Sequence, residues 1–485
     1  MPTAFCLHAL GASSEEFALL RIELVDDLDV VAIDLPGFGR TPASAGTTVE
    51  EMAVHVERAI GSSGVTDWLL VGHSMGGKIA TVVADRTMSG ANGLFGLRGV
   101  VLLAASPLAP EPMDEDRRQV MLGWAADGPI AAEDAAAFVA ANTASPLPAE
   151  LHAVAVRDVE RADPAAWTAW LTRGSREDWS AVPVNPVPAL VLAGAEDGDL
   201  DADAQRRLTL PHWSDAELHV VDGAAHLLPW EHPAPVAERI RAFVRGRLTN
   251  GPVVPAEHAR LIASPRVSAR TRGILAVRAL PDDPTAAPEA LTPEQLDTLR
   301  QVARIVVPQP GDHRVDLALR VDAQLAAGLG DGWRPDGLPV DVDAYRAALD
   351  LLAVPARDGD LDRALDDVAA GRFRTDVTSD AAARDAAARD ATSRDASAPE
   401  VLTPAQLRSW FEDASVDLVK QWLAHPATMA AIDFDGYANG GDGVRLQGFQ
   451  LLGAGTREAW EPTTTTEGRT TTTEGRTTRT TGAAR

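Results

Sequence analysis

Short continuous apolar runs recur through the first half of the chain, each closing on turn-forming residues. TAFCLHAL (3–10), VVAIDLP (30–36), DWLLVGH (67–73), GVVLLAA (99–105), ALVLAG (189–194) and ELHVVDG (217–223) all have this form. Unbroken runs of this length predict strands buried on both faces, as in a parallel sheet covered by helices. Stretches of helical period lie between them, including 49–60 and 79–86. The alternation predicts an α/β fold with a mostly parallel sheet. One interval breaks the rhythm: 107–182 has no strand-like run but carries Trp124, Phe138, Trp167, Trp170 and Trp179 on helical stretches. A direct strand connection needs far fewer residues. Residues of about 108–182 are therefore expected to form a helical cap, its aromatics making the cap core and some lining a pocket.

After Leu248 the texture changes. Residues 249–287 are rich in Pro, Ala and Asp and read as a linker, although GILAVRAL (273–280) can pack. LTPEQLDTLRQVARIVVP (291–308) then opens with Thr292 as N-cap, Pro293 at the first helical position and Gln295 closing a capping box. Leu296, Leu299, Ala303 and Val306 share one helical face. The same opening returns as LTPAQL (402–407), and 341–354 and 405–424 are also helical in pattern. A second, mostly α-helical domain is expected over 288–462. The AAARD-repeating stretch of about 380–399 and the Thr-rich tail 463–485 are too polar or too small-chained to anchor to a core, and are expected to be disordered.

Composition narrows the function. At 485 residues the chain exceeds one core. A formal net charge of −26 opposes nucleic-acid binding, which needs clustered Lys and Arg against phosphate. The single cysteine, Cys6, excludes an internal disulfide and, within an apolar run, reads as a buried inert thiol. MPTAFCLHALG has neither the basic region nor the apolar length of an export signal, and no stretch approaches the ~20 apolar residues of a membrane helix. A cytoplasmic protein is expected.

The candidate chemistry centres on VGHSMGGKIA (71–80). Strand, tight turn and helix follow one another there, and Gly72 and Gly76 leave room to lift Ser74 above the sheet as a nucleophile. A nucleophilic serine needs a base and an orienting acid. ALVLAGAEDGD offers Glu196, Asp197 and Asp199 just past a late strand, with Asp197 best placed. HVVDGAAHLLPWEHP offers His226 after the last strand; His232, His212 and His219 are less well placed. An oxyanion needs two backbone N–H donors. Met75 supplies one, and the HALGASS loop the other, from Leu10 or, second, Ala9. His8 and Ser13 are expected to brace that loop.

CLHALGASS, AIDLPGFGRT, VGHSMGGKIA, VLAGAEDGD and GAAHLLPWEHP, in that order across 1–248, resemble the successive signatures of the α/β-hydrolase superfamily. The resemblance implies that fold, a cap over the site, and Ser74, Asp197 and His226 as a catalytic triad. The sequence departs from the family in two places. His8-Ala9 stands where the family usually has His-Gly, and the chain starts on what is usually the third strand. Asp34, in the DLPGFG turn, matches a structural position.

The stretch 425–462 belongs to no hydrolase. Asp433, Asp435 and Asp442 near glycines suggest a calcium loop, but the twelfth position from Asp433 is Val444 and not Glu, so no metal is expected. With the opening at 291–308, this stretch resembles the small subunit, subunit 3, of gluconate 2-dehydrogenase. In that family the small subunit carries no cofactor and accompanies a flavin-dependent subunit of the glucose-methanol-choline type. The resemblance implies a surface for a separate oxidoreductase. Two functions are thus open. One is a cofactor-free serine hydrolase of a small ester or lactone, tethered to a partner-binding domain. The other is a non-catalytic accessory subunit with the hydrolase fold as scaffold.

Overall fold

The computed structural model describes residues 1–311, 313–330, 335, 337–374, 401–443 and 456. The six apolar runs form one sheet, with strand order β2-β1-β3-β4-β5-β6. Its strands are β1 (Thr3–Leu7), β2 (Asp29–Ile33), β3 (Trp68–His73), β4 (Leu97–Leu103), β5 (Ala189–Gly194) and β6 (Ala216–Val221). Every pairing is parallel. Because side chains alternate along a strand, each strand serves two cores. Phe5, Leu7, Leu70, Val100 and Leu102 face one, with helices α2 (Val49–Ser63) and α3 (Met75–Met88). Ala4, Cys6, Leu69, Val71, Val101 and Leu103 face the other, against α1 (Ala18–Glu23) and the later α10 (Pro233–Phe243). Burial pushes the Cys6 thiol pKa up, which keeps it protonated. Burial on both faces fails at the edges. Asp29 and Val31 of β2 and Val220 of β6 are exposed, because an edge strand has a neighbour on one side only.

Between β4 and β5 lie α4 (Glu115–Trp124), α5 (Ala132–Ala141), α6 (Ala149–Glu160) and α7 (Pro164–Ala169), where the sequence predicts a helical insertion. Trp167 is fully buried there and donates to Met121 O at 2.9 Å. The insertion is pinned to α3. Lys78 of α3 is buried and donates to the carbonyls of Ala109 (3.4 Å), Gly174 (3.1 Å) and Glu177 (2.7 Å). Burial lowers its pKa to about 8, against the pull of Glu111 and Glu177. Past β5 comes the short α8 (Ala202–Ala204), and α9 (Leu228–Glu231) then precedes α10.

The stretch 249–287 is more than a bare linker. It holds α11 (Ala256–Ala263) and α12 (Ala269–Arg278). Val254, Ile262, Leu275 and Ala276 are buried in the same core as α2 and α3. Ile262 lies on α11 and Leu275 and Ala276 on α12, and the Pro and Asp around these short helices dilute their pattern. Gly90 and Gly273 let α12 reach the end of α3 backbone to backbone: a Cβ on Gly90 would lie 2.0 Å from Ala269 O, and one on Gly273 2.8 Å from Met88 O. Arg272 seals the joint, donating to Gly90 O and Val267 O at 2.8 Å each.

A separate core follows, built by α13 (Pro293–Val306), α14 (Leu317–Ala326), α15 (Asp341–Asp358), α16 (Leu361–Ala369) and the helix Pro404–Ala424. Both expected capping boxes form, at Thr292 with Gln295 and at Thr403 with Gln406. Trp410 is buried in this core; Phe411 and Trp422 pack on it partly buried. The chain then returns. Ala427, Tyr437 and Ala438 join the first core, and Gly440 N–H donates to Arg266 O at 3.0 Å. The AAARD stretch, the Thr-rich tail, Val444 and, apart from Thr456, GAGTREAWEP lie outside the described residues. Among the described residues, no acidic or His/Cys cluster fits a metal ion, and no helix is long and apolar enough to cross a membrane.

Candidate active site

β3 runs straight into α3 through one residue, Ser74, and that residue is bent. Its φ of 50° and ψ of −117° lie in a region that costs a non-glycine residue about 1–3 kcal/mol. The bend is fixed on both sides: Ser74 N–H donates to Leu103 O at 2.9 Å, and Ser106 N–H to Ser74 O at 3.0 Å. Two glycines make room for it. A Cβ on Gly72 would sit 2.6 Å from Gly76 O, and one on Gly76 would sit 2.2 Å from Leu7 O. This is the geometry of a nucleophile elbow.

Asp197 follows β5 and is nearly buried. Its Oδ1 accepts from Asp199 N–H (3.1 Å) and Leu200 N–H (3.0 Å), and its Oδ2 meets His226 Nδ1 at 2.8 Å. Burial raises the Asp197 pKa, but the His226 charge and hydrogen bond and the two N–H donors outweigh it, bringing the carboxyl to about 2. Burial lowers the His226 pKa, and the charge of Asp197, its hydrogen bond and the charge of Glu111 outweigh that, leaving the imidazole above its ordinary value. Asn142 O anchors the histidine loop by accepting from His226 N–H and Leu227 N–H at 3.1 Å each.

Ser74, Asp197, His226 and Leu10 line one cavity of about 200 Å³. No Ser74–His226 hydrogen bond is present among the described residues. Such a bond commonly tightens only when substrate arrives. The other histidines are engaged elsewhere: His212 with Asp85 (2.9 Å), His219 with Glu217 (3.2 Å) and His232 with Gly223 O (3.0 Å). Asp199 pairs with Arg117 at 2.6 Å, and Glu196 lines the cavity.

The loop after β1 separates the two candidate oxyanion donors. Ala9 N–H is taken by Glu16 Oε2 at 3.1 Å. Leu10 N–H and Met75 N–H have no partner among the described residues. Leu35 N–H donates to His8 Nε2 at 2.9 Å, so His8 Nδ1 carries the hydrogen and donates to Ala9 O at 2.8 Å. In a trans peptide, C=O and N–H point opposite ways. Holding Ala9 O therefore fixes the direction of Leu10 N–H. Ser13 braces the loop through Asp158 (2.6 Å), and Asp34 accepts from Ser14 N–H (2.7 Å) and Arg40 N–H (2.9 Å).

Sequence reasoning missed three charged groups here. Glu111 lines the cavity and accepts from Ser106 Oγ at 2.9 Å. Burial raises its pKa, with the Ser106 hydrogen bond and the His226 charge opposing. Arg117 of α4 also donates to Asn142 Oδ1 at 3.0 Å. Glu16 lies buried beneath the elbow. None has a spacing signature, because the cap and the first helical turn reach the site only through the fold.

Residues 4–239 match the model of the alpha/beta hydrolase family, and this part of the chain belongs to that family. Among curated relatives, 83 residues are 39% identical to the dihydrolipoyllysine-residue acetyltransferase component of an acetoin cleaving system from Cupriavidus necator, covering 17% of this chain and 22% of the relative. Another 78-residue match is 37% identical to a pimeloyl-[acyl-carrier protein] methyl ester esterase from Citrobacter koseri, covering 16% of this chain and 29% of the relative. The chain thus spans less than a third of the length of either. Among solved structures, an esterase from Exiguobacterium antarcticum superposes with a TM-score of 0.45 at 17% identity, over 50% of this chain and 92% of that one. The enol-lactonase from Burkholderia xenovorans LB400 does so with 0.43 at 19% identity, over 50% and 91%.

Proposed function

We propose that residues 1–248 act as a serine hydrolase on a short carboxylic ester or lactone. The observation that carries this reading is the Asp197–His226 pair opening into the same cavity as a serine held at φ 50°. Ser74 Oγ attacks the carbonyl carbon while His226 Nε2 takes its proton. Leu10 N–H and Met75 N–H receive the oxyanion. The intermediate collapses, His226 protonates the departing alkoxide, and a water deprotonated by His226 then releases the acid and restores Ser74. A cavity of about 200 Å³ is small against the ~300–1,000 Å³ typical of ligand pockets, which favours short acyl groups. The methyl ester esterase among the relatives supports ester chemistry. The test is Ser74→Ala. It should abolish both fluorophosphonate labelling and p-nitrophenyl acetate hydrolysis, a loss on the order of 10⁴- to 10⁶-fold. Parental activity in a clean Ser74→Ala preparation sinks the reading, and so does a parent that never labels.

For the helical region, about 288–462, we propose docking of a separate flavin-dependent oxidoreductase, which would place ester or lactone hydrolysis beside an oxidation. Its support is the resemblance to gluconate 2-dehydrogenase subunit 3 together with an apolar row left outward at Val416, Val419 and Leu423. Trp410 is withdrawn into the core and does not serve. The full chain and its Val416→Asp/Leu423→Asp variant, used as baits, separate the outcomes: a flavoprotein should come down with the first and not the second.

A further inference from the structure

Glu16 and His73 are both fully buried, and the reaction above uses neither. They nevertheless touch each part of the machinery. Glu16 Oε2 accepts from Ala9 N–H at 3.1 Å in the oxyanion loop. Glu16 Oε1 meets His73 Nδ1 at 2.8 Å. His73 Nε2 meets the backbone oxygen of His226 at 2.7 Å, and the two rings lie 5.2 Å apart between centroids. His73 is also the residue that leads into Ser74. One unbroken chain of contacts thus joins oxyanion loop, elbow and base.

The hydrogens follow from the partners. A carbonyl oxygen only accepts, so His73 Nε2 donates to His226 O. Nδ1 then faces a carboxyl oxygen, and the two must hold a proton between them. Whichever atom carries it, the Glu16–His73 pair is neutral as a unit, so it adds no net charge beside His226. What it adds is position. Leaving buried polar groups unpaired is expensive, so the pair resists any shift of its two partners, Ala9 N–H and His226 O.

We propose that Glu16 and His73 are positioning residues that lock the oxyanion loop and the His226 loop to the elbow. This rests on the hydrolase reading above. Misplacement by about 1 Å at such a site costs on the order of 10² in rate. Because the oxyanion donors act on the transition state, the loss belongs in kcat and not in KM.

The test uses the full chain, p-nitrophenyl acetate, and fluorophosphonate titration to count competent sites. Glu16→Ala should lower kcat by about 10²-fold with KM nearly unchanged. Glu16→Gln should restore most of it, since the amide oxygen still accepts from Ala9 N–H and the amide N–H donates to a neutral His73 Nδ1. A packing role alone would not split KM from kcat in this way. Parental kcat in folded Glu16→Ala overturns the proposal, as does Glu16→Gln no better than Glu16→Ala. Should Glu16→Ala not fold, His73→Gln decides: its amide can reach His226 O but not Glu16, so kcat should fall, and an unchanged kcat overturns the proposal. If Ser74→Ala is dead and Glu16→Ala is unaffected, only the positioning role fails. If Ser74→Ala stays active, the hydrolase reading itself fails.

Discussion

A histidine serves as a general base only while neutral. Burial alone would make His226 easier to keep neutral, but Asp197 and then Glu111 favour the charged form and win. The rise of kcat/KM with pH should therefore reach its halfway point above 6.5, the ordinary histidine value. The charged groups that line the cavity with this imidazole are Asp197, Asp199, Glu196, Glu111 and Arg117, of which Asp197, Glu111 and Arg117 act on it most strongly. Glu111→Gln removes one of the raising charges, so the halfway point should move to lower pH; a pH–rate profile that moves the other way contradicts the assignment. Asp197→Asn should keep the fold but favour the wrong His226 tautomer, with turnover reduced by about 10⁴-fold in a steady-state assay. That Ser74, Asp197 and His226 come to one cavity is legible in the sequence because their chain order and the turns around them follow from the sheet. Glu16, Glu111 and Arg117 are not. Glu16 and Arg117 read locally as solvated charges on helical turns and Glu111 as a loop carboxylate, and only the folded chain brings them to the site.

The helices show the same division. Capping boxes are local chemistry, so both LTP openings can be read from the residues alone. Thr292→Ala should cost about 1 kcal/mol, seen as a lower melting temperature of the helical core. Of the pair α11–α12, only the apolar run 273–280 shows in the sequence, because both helices are short and bury their apolar residues in the first core. Its contact with α3 runs through Gly90 and Gly273, where no side chain signals an interface. Gly273→Ala places a methyl against Met88 O and the Ser89 backbone and should destabilise the protein by about 1–3 kcal/mol. Gly246→Ala, whose added carbon meets nothing within 4 Å, is the matched control. Equal melting temperatures for the two variants would show that α12 does not lean on α3.

At the scale of the molecule, a cut after Leu248 looks harmless in the sequence and is costly in the structure. It strips Val254, Ile262, Leu275, Tyr437 and Ala438 from the core that also holds α2 and α3. A 1–248 fragment should melt well below the full chain, yet each folded copy should keep its kcat, since every cavity residue lies between Ala9 and Leu227. Calorimetry and turnover per labelled serine check the two halves of that statement separately. The return of the chain at Gly440 has another consequence. Asp442 accepts from Ala269 N–H at 2.8 Å, so the helical core leaves the hydrolase through α12 and comes back onto the same helix. It is fastened like a jug handle, at both ends. A bead on a string swings freely and falls away when the string is clipped. A handle does neither: one nick between 281 and 290 should leave a particle that still sediments as one and separates into two bands only in denaturant.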